Sequence, residues 1–276
     1  MSGSTLDGRM LRFTKAHAYG NDFLYVRSPD VAGVRRDALA REICDRHTGV
    51  GADGLIVYDR NGDRLSMRLF NADGGRAEVS GNGVRALAAL VLRDDDRPSA
   101  ELEIETEGGV KRLTRMGRDG TRQTFRAAMG LPDSLRRLLP IEVAGEPVQL
   151  AALSIGNPHC VVIGPLPDPA RFQRLGAALE RHEMFPEGTN VEFVDVEAPD
   201  RVRILIWERG VGPTSSSGTG SCAALVAAAA FGGAARAAEV RAPGGGQLVE
   251  WKADSVYLTG WAEVLCDGDW LRALPR

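Results

Sequence analysis

The feature that most constrains this chain is a segment that occurs twice. Ser80-Gly81-Asn82-Gly83-Val84-Arg85-Ala86-Leu87 and Ser217-Gly218-Thr219-Gly220-Ser221-Cys222-Ala223-Ala224 are each a glycine turn opening an apolar helical stretch, and they stand 137 positions apart. The same shift carries Phe70-Asn71 onto Trp207-Glu208, each pair closing an alternating, strand-like run (Leu65 to Phe70, Val202 to Trp207). A shift of 136 carries Gly20-Asn21-Asp22-Phe23 onto Gly156-Asn157-Pro158-His159, and the shift of 137 puts Gly51-Ala52-Asp53 on Gly188-Thr189-Asn190. Four landmarks in one order at nearly one offset mark a duplicated unit. A duplicated unit predicts one site served by two halves.

Two helices opened by glycine turns have a simple chemical use. Each N-terminus presents backbone N–H groups without intrahelical partners and a partial positive charge, which together suit an anion. A single Gly-x-Gly turn is explained as well by tight packing of strand against helix, so the weight rests on the two copies in register. Neither turn is a P-loop, because no Gly-Lys-Ser/Thr follows, and neither has the Gly-x-Gly-x-x-Gly of a dinucleotide site.

Length and composition narrow the class. The 276 residues suffice for two domains, each with its own core. A net charge of −3, with no Lys/Arg block, argues against a nucleic-acid surface. Met1 to Met10 lacks the apolar core of a signal peptide, and Cys222 to Ala235 is too short to span a bilayer. Cys44, Cys160, Cys222 and Cys266 have no zinc-like or repeated spacing. No metal, membrane or nucleic-acid partner is expected, and a cytoplasmic location is.

Along the chain, Met1 to Arg9 reads as a disordered leader. Leu11 to Val26 reads as strand, turn and strand, and Asp37 to Arg46 as a helix with Asp37 as its N-cap. Leu55 to Tyr58 and Leu65 to Phe70 are strands joined through Asn61-Gly62, ahead of a polar loop from Asn71 to Val79. Strands Glu101 to Thr106 and Val110 to Thr114 follow the helix after Ser80. In the second half the helix Asp168 to Glu180 repeats the first, and Leu248 to Lys252, Val256 to Thr259 and Ala262 to Leu265 close the chain. The domains expected are 11–127, completed by the C-terminal strand 264–276, and 130–262, with the join at Met129-Gly130-Leu131-Pro132.

These residues resemble diaminopimelate epimerase and the wider family of cofactor-independent amino-acid racemases. The matching stretches are Gly20-Asn21-Asp22-Phe23, His47-Thr48-Gly49-Val50-Gly51-Ala52-Asp53-Gly54, Phe70-Asn71-Ala72-Asp73-Gly74 and Ser80-Gly81-Asn82-Gly83. In the second half they are Gly156-Asn157-Pro158-His159, Gly188-Thr189-Asn190-Val191, Trp207-Glu208-Arg209-Gly210-Val211-Gly212, Ser217-Gly218-Thr219-Gly220 and Tyr257-Leu258-Thr259-Gly260.

The resemblance implies an α/β (α+β) fold of two pseudo-symmetric domains, each a mixed sheet curled around a central helix, with the ligand in the cleft between them. It also implies an isomerase of amino-acid (lysine) biosynthesis that inverts an α-carbon with two opposed thiols and no cofactor, since inversion needs one acid/base group on each face. The α-carboxylate would rest on the amides of Gly81, Asn82, Gly218 and Thr219. Asn71, Asn157, Asn190 and Arg209 would grip the distal groups of a diamino diacid, with Asn21 and Glu208 assisting. His159 and Glu208 would tune the acid/base groups. A homodimer is left open.

The chain departs from this pattern at its centre. Both thiol positions hold serine, Ser80 and Ser217, and the glutamate that follows Gly-Val-Gly in the family is Pro213. Cys222 lies within the helix and does not substitute. A serine hydroxyl ionises several units above a thiol, so paired serines are weak bases. Three readings stay open: an epimerase working through serines or through His159 and Glu208, a binding relative without turnover, and a changed reaction needing one base, such as a dehydration or isomerisation. Pro213, Ser215 and Ser216 also differ from the family, which speaks against a deliberately made Cys-to-Ser variant.

Overall fold

The computed structural model describes residues 10–62, 64–77, 80–137 and 140–276. The expected leader lies outside the described residues. Residues 10–123 and 262–276 form one compact unit and 124–261 another.

In the first unit, β1 (Leu11–Ala18) and β2 (Asn21–Arg27) form a hairpin, and α1 (Arg36–Ile43) leads to β3 (Gly54–Asn61). Then come β4 (Arg64–Asn71), the short β5 (Arg76–Ala77), α2 (Gly81–Val91), β6 (Ala100–Thr106), β7 (Gly109–Asp119) and the start of β8 (Arg122–Ala128). β1 and β2 are antiparallel, β2 and β3 parallel, β3 and β4 antiparallel, β4 and β6 parallel, β6 and β7 antiparallel.

The second unit contains β9 (Asp133–Arg137), β10 (Ile141–Val143), β11 (Glu146–Val148), β12 (Leu150–Ser154), β13 (Pro158–Ile163), α3 (Pro169–Glu180) and β14 (Asn190–Ala198). It continues with β15 (Arg201–Glu208), β16 (Gly212–Thr214), α4 (Gly218–Ala227), β17 (Ala237–Ala242), β18 (Gly245–Trp251) and the start of β19 (Val256–Trp270). β12 to β15, β17 and β18 repeat the same sequence of antiparallel and parallel pairings. Residues Glu263 to Trp270 of β19 pair with β1.

The duplication read from the sequence is present in the register itself. Phe23 pairs with Gly54 and Tyr25 with Ile56, while His159 pairs with Asn190 and Val161 with Glu192. Phe70 pairs with Arg76 where Trp207 pairs with Pro213.

Why each helix is central follows from its composition. A helix apolar all round has no face to show water and is stable only inside. In α4 every residue but Thr219 is buried, and the helix packs against β12 to β15, β17 and β18. In α2 the buried run is Asn82 to Leu90, packed on β1, β2 and β7. Outside these cores, α1 and α3 cover their sheets with one face only, burying Leu39, Ala40 and Ile43, and Leu175, Gly176, Leu179 and Glu180.

Three local expectations are corrected. The first helix begins at Arg36, capped by the backbone of Arg35, and Asp37 lies within its first turn. There the Asp37 carboxylate accepts from Arg41 Nη2 at 2.7 Å, one turn on, in place of capping. The polar loop after Asn71 contains the short strand β5. Val256 to Leu265 is not two strands: the chain runs on unbroken to Trp270, because β18 and then β1 supply successive partners.

Candidate functional site

Each half-site is built on the N-terminus of a central helix. In the first unit Ser80 is extended (φ −124°, ψ 122°) and caps α2, its Oγ accepting from the Gly83 amide at 3.1 Å. That takes the third amide of the turn and leaves those of Gly81 and Asn82 directed out of the helix end. The Asn82 side chain is buried; its Nδ2 donates to Asn21 Oδ1 at 3.3 Å and its Oδ1 accepts from Arg85 Nη2 at 2.6 Å. Asn21 in turn donates to Asp53 Oδ2 at 2.7 Å, and Arg46 holds the other Asp53 oxygen at 2.8 Å. Two amides are thus strung between a buried guanidinium and a carboxylate. Behind the turn the wall is apolar: a Cβ at Gly83 would fall 2.8 Å from Ile56 Cδ1 and 3.6 Å from the Phe23 ring.

In the second unit Ser217 (φ −138°, ψ 130°) caps α4 in the same way, its Oγ accepting from the Gly220 amide at 3.2 Å. Its carbonyl also accepts from Ser221 Oγ at 2.8 Å. The surroundings are ionisable. His159 Nε2 lies 2.9 Å from Asn157 Oδ1, and His159 Nδ1 lies 2.9 Å from Glu192 Oε1. Asn157 Nδ2 makes a long contact of 3.5 Å to Thr219 Oγ1. A Cβ at Gly220 would meet Glu192 Oε1 at 2.7 Å, so glycine is required for the carboxyl to stand directly behind the turn.

Glu208 ends β15 beside this turn. Burial pushes its carboxyl up to about 7, with the Thr214 and Ser217 hydroxyls pulling it down and Glu192 pushing it further up. Pro213 stands in register with Trp207 and leaves the β15–β16 pairing in place, as Arg76 does opposite Phe70.

The remaining residues singled out by the sequence fall as follows. Asn71 closes β4 opposite Gly54. Asn190 is buried, and its amide donates to the Pro158 carbonyl at 3.0 Å and accepts from the Arg209 amide at 3.1 Å, tying β13 to the end of β15. The Arg209 side chain is exposed and donates to the Glu187 carbonyl at 3.3 Å; among the described residues it is not in a buried ion pair. Asn21, Asn82, Ser80 and Gly81 cluster in the first unit, and Asn157, His159, Glu208, Ser217, Gly218 and Thr219 in the second.

Two residues were missed. Glu192 shares a strand face with Asn190 in the otherwise apolar run Asn190-Val191-Glu192-Phe193-Val194, a charge where the first repeat has Ile56; that contrast was readable. Arg85, 1% exposed, stands where the second repeat has Cys222. A buried arginine inside an Ala/Leu helix was the signal.

Comparison with known proteins follows the same residues. A family model described as diaminopimelate epimerase matches residues 13–132 and 151–265. The diaminopimelate epimerase of Desulforudis audaxviator is 43% identical over 95% of this chain and 100% of its own length. That of Pelotomaculum thermopropionicum is 37% identical over 94% of this chain and 99% of its own. Among solved structures, a probable proline racemase from Agrobacterium radiobacter K84 superposes with a TM-score of 0.69 at 17% identity, covering 94% of this chain and 92% of that one. A predicted epimerase from Pseudomonas aeruginosa gives 0.69 at 14% identity, covering 95% and 100%. At such identities the structures establish the shared fold alone.

Proposed function

Since the chain belongs to the diaminopimelate epimerase family, we propose that it acts on the α-carbon of a diamino diacid, with a serine-capped helix N-terminus in each unit offering amides to a carboxylate and no cofactor taking part. The observation that carries this is the paired cap. Both serine oxygens take the third amide of their helix and leave the first two amides of each turn for a carboxylate. Charge that builds on the carboxylate as the α-proton leaves falls on the same amides, which need not reorganise to meet it.

Ser217 and Ser80 are the acid/base groups of the two faces in this reading. On the second face the α-proton passes to Ser217 Oγ while the hydroxyl proton passes to Glu208, whose raised affinity for protons suits it to receive one near neutrality. On the first face the Ser80 hydroxyl donates its proton to the carbanion-like centre and takes one back from solvent, while Glu208 releases the proton it received to solvent, so both residues return to their starting states. Asn71, Asn157, Asn190 and Arg209 hold the distal groups, with Asn21 assisting.

One observation favours a second reading. His159 and Glu192 stand directly behind the second turn with Glu208 beside it, where the first turn has the apolar Phe23 and Ile56. A reaction needing one base on one face would use that half alone.

Incubating the protein with diaminopimelate stereoisomers in deuterated water, followed by NMR and chiral separation, tests both. Deuterium at Cα with inversion is the expected result. Deuterium without inversion supports the one-base reaction, and binding with no exchange identifies a relative without turnover. Ser80→Cys with Ser217→Cys together should raise exchange by orders of magnitude, and either alone far less, since inversion needs a competent group on each face.

A further inference from the structure

Two observations in the second unit meet at Glu192. The first is burial. The side chains of His159 and Glu192 are both 0% exposed, and among the described residues Glu192 Oε2 has no hydrogen-bond partner. An ionised carboxylate beside a neutral imidazole would be an uncompensated buried charge, which proteins avoid by taking up a proton. The pair is neutral only if it holds one proton beyond that state, as imidazolium with carboxylate or as imidazole with carboxylic acid. In either form Nε2 carries a hydrogen, because Nδ1 is bonded to Glu192 with the shared proton between them.

The second is the amide beyond. Nε2 faces Asn157 Oδ1 at 2.9 Å, an atom that only accepts. Thr219 Oγ1, which both donates and accepts, leaves the amide's orientation to be set from the histidine side.

We propose that Glu192 is a positioning residue: with His159 it holds one shared proton, which locks the Asn157 amide with its oxygen inward and its NH2 toward the helix N-terminus, ready for a ligand carboxylate. The inference rests on the reading of Asn157 as a ligand-binding residue. Asn21, the first-unit counterpart, turns its oxygen toward the helix residue Asn82, with Phe23 and Ile56 in the places of the proton-holding pair. The groups facing the pair are Glu208 from β15 and Cys160 from β13. Ionisation of Glu208 favours the protonated pair, and burial holds Cys160 as a neutral thiol. Burial likewise raises the Glu192 carboxyl, against the pull of His159.

Nitrogen-15 NMR of the histidine side chains reads the proton directly. In the ligand-free protein near neutrality, His159 Nε2 should be protonated, the resonance being assigned by its loss in His159→Gln. Glu192→Gln, whose amide NH2 donates to Nδ1 as the protonated acid would, should keep that proton. It should bind diaminopimelate within about twofold of the parent protein. Raising the pH should weaken binding to the parent by about tenfold or more, the loss of one charge-assisted contact, and weaken binding to Glu192→Gln far less, what remains being the titration of Glu208. A bare Nε2 in the parent protein near neutrality, or the same pH dependence of binding in both proteins, overturns the proposal. So does a tenfold loss of affinity in Glu192→Gln near neutrality. A protonated Nε2 with no diaminopimelate binding keeps the shared proton and removes the ligand assignment instead.

Discussion

The two helix N-termini share one backbone and differ in what stands behind it. Serine caps, glycine at the third helical position and strand register are common to both. Behind the first turn are Phe23 and Ile56, with Arg85 buried alongside; behind the second are His159 and Glu192, with Glu208 beside it. Duplication thus kept the outward amides of each turn, since these depend only on the helix. It let diverge the side chains behind them. Those directly behind the first turn are apolar and those behind the second are titratable.

The largest effect that would test this contrast is the pH dependence of stability. Glu208 is raised from 4.5 to about 7, chiefly by burial, so the folded state binds a proton that the unfolded chain releases. Its stabilising contribution is full below the unfolded value and is lost as pH rises from 4.5 to about 7, by up to about 3 kcal/mol. Glu208→Gln should remove this fall and be the more stable protein above the window. Urea denaturation at about pH 5 and about pH 8 measures it. A parent protein with no greater loss than Glu208→Gln across that window would erase the difference between the halves.

Next in size is a matched pair of glycine substitutions. At Gly83 the added methyl meets the end of the Ile56 side chain, which can rotate aside; at Gly220 it meets a carboxyl oxygen tied to His159 at 2.9 Å. Gly83→Ala should cost about 1 kcal/mol and Gly220→Ala about 3 kcal/mol, the low and high ends of overpacking. Equal midpoints in thermal denaturation would mean that the His159–Glu192 pair yields as readily as an isoleucine.

The smallest effect sharpens the shared half of the comparison. Ser80→Ala and Ser217→Ala each remove a cap and should each cost about 1 kcal/mol. Costs that differ by much more than this in urea titrations would show that one serine does more than cap its helix.

Much of this was legible in the sequence because it is local or periodic. The two glycine turns, the alternation of β4 and β15 and the all-apolar helix α4 follow from patterns within a dozen residues, and the repeat offset from matching such local patterns 136 to 137 positions apart. The Asp37 cap failed because a carboxylate in the first turn can serve as cap or as partner to Arg41, and only the chain's entry from Arg35 selects between them.

The sequence by itself therefore determined that the chain is a two-fold repeat of strands around an apolar helix, with a Ser-Gly turn opening each. It also supplied the family, through residues that sit at turns and helix ends. Tertiary structure alone decided which side chains stand behind those turns. Glu192 reaches His159 across 33 positions of chain, Asn82 reaches Asn21 across 61, and Arg209 lies exposed despite its place beside Glu208. A hydrogen bond between neighbouring strands is set by register and burial, which adjacency in the chain does not encode.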